Sequence, residues 1–171
     1  MEILQTKLEG VKLVKPDVFD DHRGEYVELY NADTYRANGI DATLMQDDIS
    51  VSSLNVLRGI HADTACCKLV TCLLGRFYLV VADCNKARPT FGTWQSFVLT
   101  ERNRWQVFVP PYYGVAHLAL ADKIIFHYKQ SMSYDPSRQL TFKWNDPAFN
   151  IWWPANTPIL SQRDQAGHYV G

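Results

Sequence analysis

The chain has 171 residues, of which 47% are hydrophobic and 13% aromatic, and its 17 basic and 18 acidic side chains give a formal net charge of −1. This size and composition predict one globular domain. The charge balance argues against nucleic acid or an anionic membrane as a partner. With no signal peptide or transmembrane run evident, we expect a cytoplasmic protein.

The predicted elements are short strands separated by turn formers. A first strand, Glu25–Tyr30, precedes one helical turn, Ala32–Asn38, which Gly39 closes. Eight further segments are rich in β-branched and aromatic residues, namely Leu44–Ser50, Lys68–Leu74, Arg76–Ala82, Trp94–Leu99, Trp105–Val109, Ala116–Leu120, Ile124–Lys129 and Gln139–Lys143. Short strands at this spacing predict an all-β fold, a cupin-like jelly-roll β-barrel with short helical segments.

Alternation along these strands places polar side chains inside the barrel. In Ile124–Lys129, Phe126 and Tyr128 share one face, and in Lys68–Leu74 the side chain of Lys68 shares a face with apolar residues. An interior that carries lysine and tyrosine among apolar residues is typical of a barrel that holds a ligand.

The densest polar cluster is Arg58–Asp63, which Lys68 follows at a short distance. An imidazole beside two cations could act as a base next to a phosphate or an oxyanion, although a lone histidine is more often structural. The alternative is a metal site with two histidines and one carboxylate, from His61, Asp63 and His117. We predict no metal, because the chain has no His-x-His pair and the neighbouring cations would oppose a metal ion.

Further segments add to this cluster in a recognisable order. They are Phe19–Glu28, Gln46–Ser53, Val56–His61, Lys68–Val70, Asp83, Pro89–Trp94, Ala116–His117, Tyr128, Tyr134–Pro136, Trp144–Pro147 and Leu160–Asp164. In this order, over nearly the whole chain, they resemble the dTDP-4-dehydrorhamnose 3,5-epimerase family. The resemblance implies a homodimer without cofactor that epimerises a nucleotide-linked 4-keto-6-deoxy sugar, such as dTDP-4-dehydro-6-deoxyglucose, at C3 and C5 or at C3 alone.

The resemblance also implies how the single domain, residues 1–171, is organised. Dimerisation strands would occupy residues 1 to about 50, with the N-terminal strand exchanged across the dimer. The barrel core would run from about 51 to 145, and a C-terminal wrap from about 146 to 171.

Four residues match the catalytic positions of that family. His61 aligns with the general base and Asp164 with the carboxylate behind it, which would fix the imidazole tautomer. Lys68 aligns with the cation that stabilises the enolate oxygen, and Tyr128 with the acid that returns a proton on the opposite face.

Ten residues match substrate-binding positions, namely Arg23, Tyr26, Glu28, Gln46, Asp48, Ser50, Arg58, His117, Tyr134 and Arg163. The resemblance implies that Arg58 and Arg163 bind the pyrophosphate, whose oxygens a guanidinium can bind bidentately. Ser50 and His117 would position the sugar. The segment with Arg23, Tyr26 and Glu28 would reach the nucleotide site of the neighbouring subunit. Tyr26 and Tyr134 could equally be ordinary strand aromatics.

Three departures from the family pattern leave the substrate open. Gln46–Asp48 replaces the usual Gln-x-Asn, the loop between His61 and Lys68 is short, and Pro110–His117 differs from the commoner segment. These features resemble a side branch that acts on GDP-linked 4-keto heptoses. The alternatives are therefore a GDP-linked 4-keto-6-deoxyheptose epimerase, a 3,4-ketoisomerase, a non-catalytic sugar-nucleotide-binding cupin and a metal-dependent cupin oxygenase.

Overall fold

The computed structural model describes residues 1–170; Gly171, the last residue of the predicted C-terminal wrap, lies outside the described residues. The strands are β1 (Glu2–Gln5), β2 (Lys12–Lys15), β3 (Val18–Asp21), β4 (Gly24–Val27), β5 (Gln46–Ser53), β6 (Leu57–Asp63), β7 (Lys68–Leu74), β8 (Arg76–Asp83), β9 (Trp94–Thr100), β10 (Gln106–Val109), β11 (Tyr113–Ala119), β12 (Lys123–Gln130) and β13 (Gln139–Thr141). The helices are α1 (Ala32–Ala37), the 3₁₀ turn Pro136–Arg138 and α2 (Gln162–Gln165). Neither α1 nor α2 has the length and apolar character needed to cross a bilayer, and no other described helix does.

Two antiparallel sheets make up the barrel. The six-stranded sheet has the order β1-β2-β10-β7-β12-β5, and the five-stranded sheet has the order β13-β6-β11-β8-β9. Side chains from both sheets meet in one core cluster, to which β7 contributes Val70 and β8 contributes Phe77 and Leu79. This architecture confirms the predicted all-β jelly roll.

The five-stranded sheet is buried on both faces. Alternate residues of β8 turn outward, and Tyr78 and Val80 join a second cluster with Phe149 and Trp153 from the C-terminal tail. Trp153 donates its indole N–H to the Trp144 carbonyl at 2.9 Å. This part of the tail thus covers the outer face of the five-stranded sheet.

All nine predicted strands overlap observed ones, but four observed strands, β1, β2, β3 and β6, were not predicted. β6 was not predicted because its charged side chains and Gly59 interrupt the run of β-branched and aromatic residues that indicates a strand. That glycine has φ of +126°, and a Cβ there would overlap Ala116.

The predicted strand Glu25–Tyr30 is wrong beyond Val27, where pairing with β3 ends. The predicted helix is confirmed, and Asn31 caps it by accepting the Thr34 N–H.

The hairpin of β3 and β4 forms a two-stranded sheet of its own. Its four β3 residues are all exposed, and the rings of Phe19 and Tyr26 are 62% and 67% exposed. An ion pair of 3.1 Å between Glu25 and Arg104 links the hairpin to the barrel. Isolated two-stranded hairpins are marginally stable in water, so this one is a candidate for contact with another chain.

Candidate active site

A cavity of about 290 Å³ opens between the two sheets. It is lined by Ser50, Arg58, His61, Lys68, Val115, His117, Phe126, Tyr128, Ser161, Arg163 and Asp164. All four residues predicted to be catalytic are among them. Four of the ten predicted binding residues, Ser50, Arg58, His117 and Arg163, join them there. Strands of both sheets and helix α2 therefore supply one site.

A histidine–carboxylate pair stands at one side of this cavity. Nε2 of His61, on β6, lies 2.6 Å from Oδ1 of Asp164, on α2. Asp164 is only 2% exposed, and the Ser161 hydroxyl donates to its second oxygen at 2.8 Å. An imidazole that donates from Nε2 to a carboxylate has a bare Nδ1, so His61 can accept a proton there.

The Asp164 carboxyl stays ionised despite its burial. Burial raises its pKa, but hydrogen bonds from His61, Ser161 and the Gly59 N–H outweigh burial, and the pKa lies below its ordinary value. A negative charge fixed behind the imidazole stabilises the imidazolium that forms when His61 takes a proton.

Ser161 is a site residue that the sequence reasoning missed. Its Oγ accepts the backbone N–H of Asp164 at 3.1 Å and so caps α2. The signal was present, since a serine followed three residues later by an acidic residue is the pattern of a capped helix N-terminus. The cap holds the carboxylate in line with His61.

Lys68 places a cation inside the barrel. Its Nζ lies 5.8 Å from the centre of the Tyr128 ring, and it has no salt-bridge partner among the side chains of residues 1–170. Burial lowers the pKa of this ammonium. A partly desolvated cation without a carboxylate partner is suited to stabilise a negative charge that develops on a ligand.

Tyr128 stands on the sheet that faces His61. Burial, followed by the charge and hydrogen bonding of Asp48, raises the pKa of Tyr128 to about 12. The phenol is therefore protonated at neutral pH. Since β12 and β6 belong to opposite sheets, the cavity has a base on one wall and a proton donor on the other.

His117 is neutral and lacks a partner. Its ring stacks on Phe126 at 4.0 Å and an interplanar angle of 10°. Burial, aided by Arg58 and His61, lowers its pKa to about 3. Its Nε2 and the Ser50 Oγ are buried without a hydrogen-bond partner within residues 1–170. An unsatisfied buried polar group costs about 1–3 kcal/mol, so both atoms favour a polar ligand in the cavity.

Two arginines complete the wall. Arg58 donates from Nε to Ser52 Oγ at 3.0 Å, and Arg163 donates from Nε and Nη2 to Thr141 Oγ1 at 3.0 and 2.9 Å. With Lys68, three cations line the cavity against the single carboxylate of Asp164. This surplus of positive charge favours an anionic ligand such as a diphosphate.

Six predicted binding residues lie outside the cavity. Arg23 pairs with Asp21 at 2.6 Å on the exposed hairpin, together with Tyr26. Glu28, which accepts from Asn31, follows that hairpin, and Tyr134 is 58% exposed. The remaining two, Gln46 and Asp48, bond to each other at 2.9 Å.

The alternative metal set is not assembled. Oδ1 of Asp63 accepts the backbone N–H groups of Ala65 and Cys66, and Oδ2 accepts from Gln139 at 2.6 Å. Within residues 1–170, His61, Asp63 and His117 form no metal-binding group, and no other three His, Cys, Asp or Glu side chains do so.

Comparison with known proteins relates this chain to one protein family. The family model described as dTDP-4-dehydrorhamnose 3,5-epimerase matches residues 5–170. The chain is 36% identical to the dTDP-4-dehydrorhamnose 3,5-epimerase of Salmonella typhimurium, covering 97% of this chain and 93% of that protein. It is 38% identical to the enzyme of the same name from Neisseria gonorrhoeae, covering 98% of this chain but only 52%, about half, of that relative. The crystal structure of the Bacillus anthracis enzyme, with TDP and PPi bound, superposes with a TM-score of 0.95 at 30% identity over 99% of both chains.

Proposed function

The chain belongs to the dTDP-4-dehydrorhamnose 3,5-epimerase family, and we propose that it is an isomerase that epimerises a nucleotide-linked 4-keto-6-deoxy sugar at C3 and C5. One observation supports this most directly: the His61–Asp164 pair and Tyr128 stand on opposite walls of one cavity, with Lys68 beside them. Inversion at carbon needs a base on one face of the sugar and an acid on the other.

The first step is proton abstraction from a carbon next to the C4 ketone. Nδ1 of His61 takes the proton, and the electron pair of the C–H bond moves to the ketone oxygen to give an enolate. Asp164 stabilises the imidazolium, and Lys68 stabilises the enolate oxygen.

The second step returns a proton to the opposite face. The Tyr128 hydroxyl gives its proton to the enolate carbon, which restores the ketone with inverted configuration. Solvent then takes the proton from His61 and reprotonates Tyr128. These steps move only protons, so the proposal needs no redox group or metal ion.

The remaining polar groups hold the substrate. Arg58 and Arg163 would bind the diphosphate, for which guanidinium groups offer matched pairs of donors. Ser50 and His117 would supply hydrogen bonds to the sugar, which would satisfy the two buried atoms that otherwise lack partners. Gln46 and Asp48 lie outside the cavity, on the strand that pairs with β12, where Asp48 is opposite Tyr128.

We further propose that residues 1–171 act as one epimerase domain in a homodimer. The exposed β3–β4 hairpin would place Arg23 and Tyr26, followed by Glu28, in the nucleotide site of the partner. A phenol ring that is 67% exposed on such a hairpin can stack on a base when a second chain covers it.

Solvent exchange tests the proposed function. Incubation with dTDP-4-keto-6-deoxyglucose in D₂O should remove the proton signals at C3 and C5, and His61→Ala should abolish this loss. His168→Ala, at an exposed histidine outside both the cavity and the hairpin, is the matched control and should behave as wild type. Absence of exchange with both dTDP- and GDP-linked substrates, or unchanged exchange in His61→Ala, would refute the assignment.

Two further measurements separate the alternatives. Stabilisation against thermal unfolding by dTDP but not GDP supports the dTDP-sugar substrate, and the reverse supports the heptose branch. A product with its carbonyl at C3 in place of C4 would identify a ketoisomerase, and binding without exchange would identify a non-catalytic protein.

A further inference from the structure

Asp48 stands directly opposite Tyr128 in the sheet. The two residues are paired in register between the antiparallel strands β5 and β12. Side chains at such positions lie about 4.5–5.5 Å apart at Cβ and interact directly. Both residues are half-buried, and the Asp48 carboxylate lies close enough to help burial raise the pKa of Tyr128.

The Asp48 carboxylate is held in place without a cation. Gln46, two residues earlier on the same face of β5, donates from Nε2 to Oδ2 of Asp48 at 2.9 Å. In the described part of the chain, Asp48 forms no salt bridge. Its negative charge acts on the Tyr128 phenol across the strands and also on the Lys68 ammonium, where it opposes the effect of burial on the pKa.

Asp47, the residue before Asp48, differs from it because its carboxylate does form salt bridges. Alternation turns its side chain to the outer face, where it pairs with Lys129 at 2.7 Å and His127 at 2.9 Å. The two adjacent aspartates therefore form a matched pair, one neutralised on the surface and one facing the cavity side of the sheet.

Among the groups of residues 1–170 whose charge acts on Tyr128 most strongly, Asp48 is the carboxylate. The other titratable groups packed near it are Lys68, whose Nζ lies 5.8 Å from the ring centre, Cys66 and Tyr134. Asp48 is thus the group among them that carries a full negative charge beside the phenol at neutral pH.

We propose that Asp48 is a positioning residue for Tyr128: its carboxylate lies across the strands from the phenol and makes the phenol a reluctant proton donor. The inference rests on the proposed function, in which Tyr128 is the acid. A tyrosinate beside a carboxylate is unfavourable, so proton delivery from Tyr128 becomes slower while abstraction by His61 is unaffected.

The consequence concerns how often the enolate is reprotonated on each of its two faces. His61 can return a solvent-derived proton to the same face, which gives exchange with retention. Tyr128 delivers to the opposite face, which gives inversion. A weaker acid at Tyr128 therefore lowers the number of inversions per exchange event, and Asp48 sets that number.

Asp48→Asn tests the inference, because it removes the charge but keeps an oxygen acceptor of the same shape. Asp47→Asn is the control for loss of an aspartate on the same strand. The first measurement is the absorbance of tyrosinate during alkaline titration, with Tyr128→Phe used to identify the Tyr128 component. That component should move to lower pH in Asp48→Asn and stay in place in Asp47→Asn.

The second measurement is the ratio of inversion to exchange in D₂O. It should rise about threefold in Asp48→Asn, because proton donation becomes faster as the donor becomes more acidic. If Asp48→Asn does not fold, Asp48→Ser, which also removes the charge, should show the same two changes.

The outcomes distinguish this inference from the proposed function. An unmoved tyrosinate transition and an unchanged ratio in an active Asp48→Asn enzyme would overturn the role of Asp48 alone. A changed nucleotide affinity with an unchanged ratio would overturn it in favour of base recognition. If the wild type exchanges no protons but the tyrosinate transition still shifts, the epimerase proposal fails while the coupling of Asp48 to Tyr128 stands.

Discussion

Nε2 of His61 and Oδ1 of Asp164 lie 2.6 Å apart, although 103 residues separate them in the chain. The contact joins β6, in the five-stranded sheet, to α2, which follows the last strand. Because the Asp164 carboxylate is 2% exposed and bonds to the imidazole, we expect its contribution to pass through His61.

This relationship predicts strong non-additivity. His61→Asn and Asp164→Asn should each reduce the exchange rate, by about 10²–10⁴-fold for the base. The double variant should be no slower than His61→Asn, because the carboxylate acts only on the imidazole. Exchange rates measured by NMR in D₂O check this, with thermal unfolding as the control for folding. Losses that multiply would show that Asp164 has an independent role.

Lys68→Met should reduce turnover by about 100-fold or more, because the cation beside the enolate oxygen is lost. The apolar side chain should not lower the unfolding temperature, since burial disfavours the ammonium at this position. Lys129→Met removes a lysine from the neighbouring strand that pairs with Asp47, and it should leave turnover unchanged. Equal losses in the two variants would contradict a specific role for Lys68.

His117 should make the protein less stable in mild acid. Its pKa in the folded state is about 3 against an ordinary value of 6.5, so the unfolded chain takes up this proton first as the pH falls. The stability is fully present above the unfolded pKa and is lost between these two values, by about 2 kcal/mol at about pH 5.

Denaturant unfolding over that range measures this loss. His117→Gln should flatten the slope of the unfolding free energy against pH, whatever its effect on absolute stability. His22→Gln, at an exposed position, should keep the wild-type slope. A wild-type slope in His117→Gln would show that this imidazole does not carry the effect.

The proposal that the β3–β4 hairpin is exchanged across a homodimer predicts complementation between inactive variants. Tyr26→Ala keeps His61 but deprives the partner of its ring, whereas His61→Ala keeps the ring and loses the base. A mixed dimer holds one complete site, so random re-pairing should restore about a quarter of wild-type activity. Light scattering should give a dimer mass for each variant. A mixture as inactive as its components would place Tyr26 in its own subunit's site or in none.

Strands could be predicted from the sequence wherever inward-facing and outward-facing side chains alternate regularly. In β12 the prediction that Phe126 and Tyr128 point inward is confirmed by their place in the core, with Lys129 on the outer face. In β6 the prediction failed, because the residues that line the cavity interrupt the apolar pattern. A strand such as β6, in which charged cavity residues and a glycine replace apolar ones, is therefore predicted less well than β7 or β12.

Only part of the candidate site could be predicted from the sequence. Resemblance placed Lys68 and Asp164 correctly in one cavity, but nothing in a single strand predicts that α2 would bring its carboxylate to His61. The hairpin residues Arg23 and Tyr26 cannot reach a cavity within one chain as it is folded here. The role proposed for them would require a second chain, whose position no pattern within one sequence can predict.

The short helix α2 has a consequence for how the molecule matures. All thirteen strands precede it, so a chain cleaved after Ile159 would retain both sheets and lose Asp164. Such a chain would present His61 with no carboxylate behind it. During synthesis, too, the barrel residues leave the ribosome before the dyad can form. We therefore expect slower proton exchange from unfinished or clipped molecules than from those in which α2 has docked.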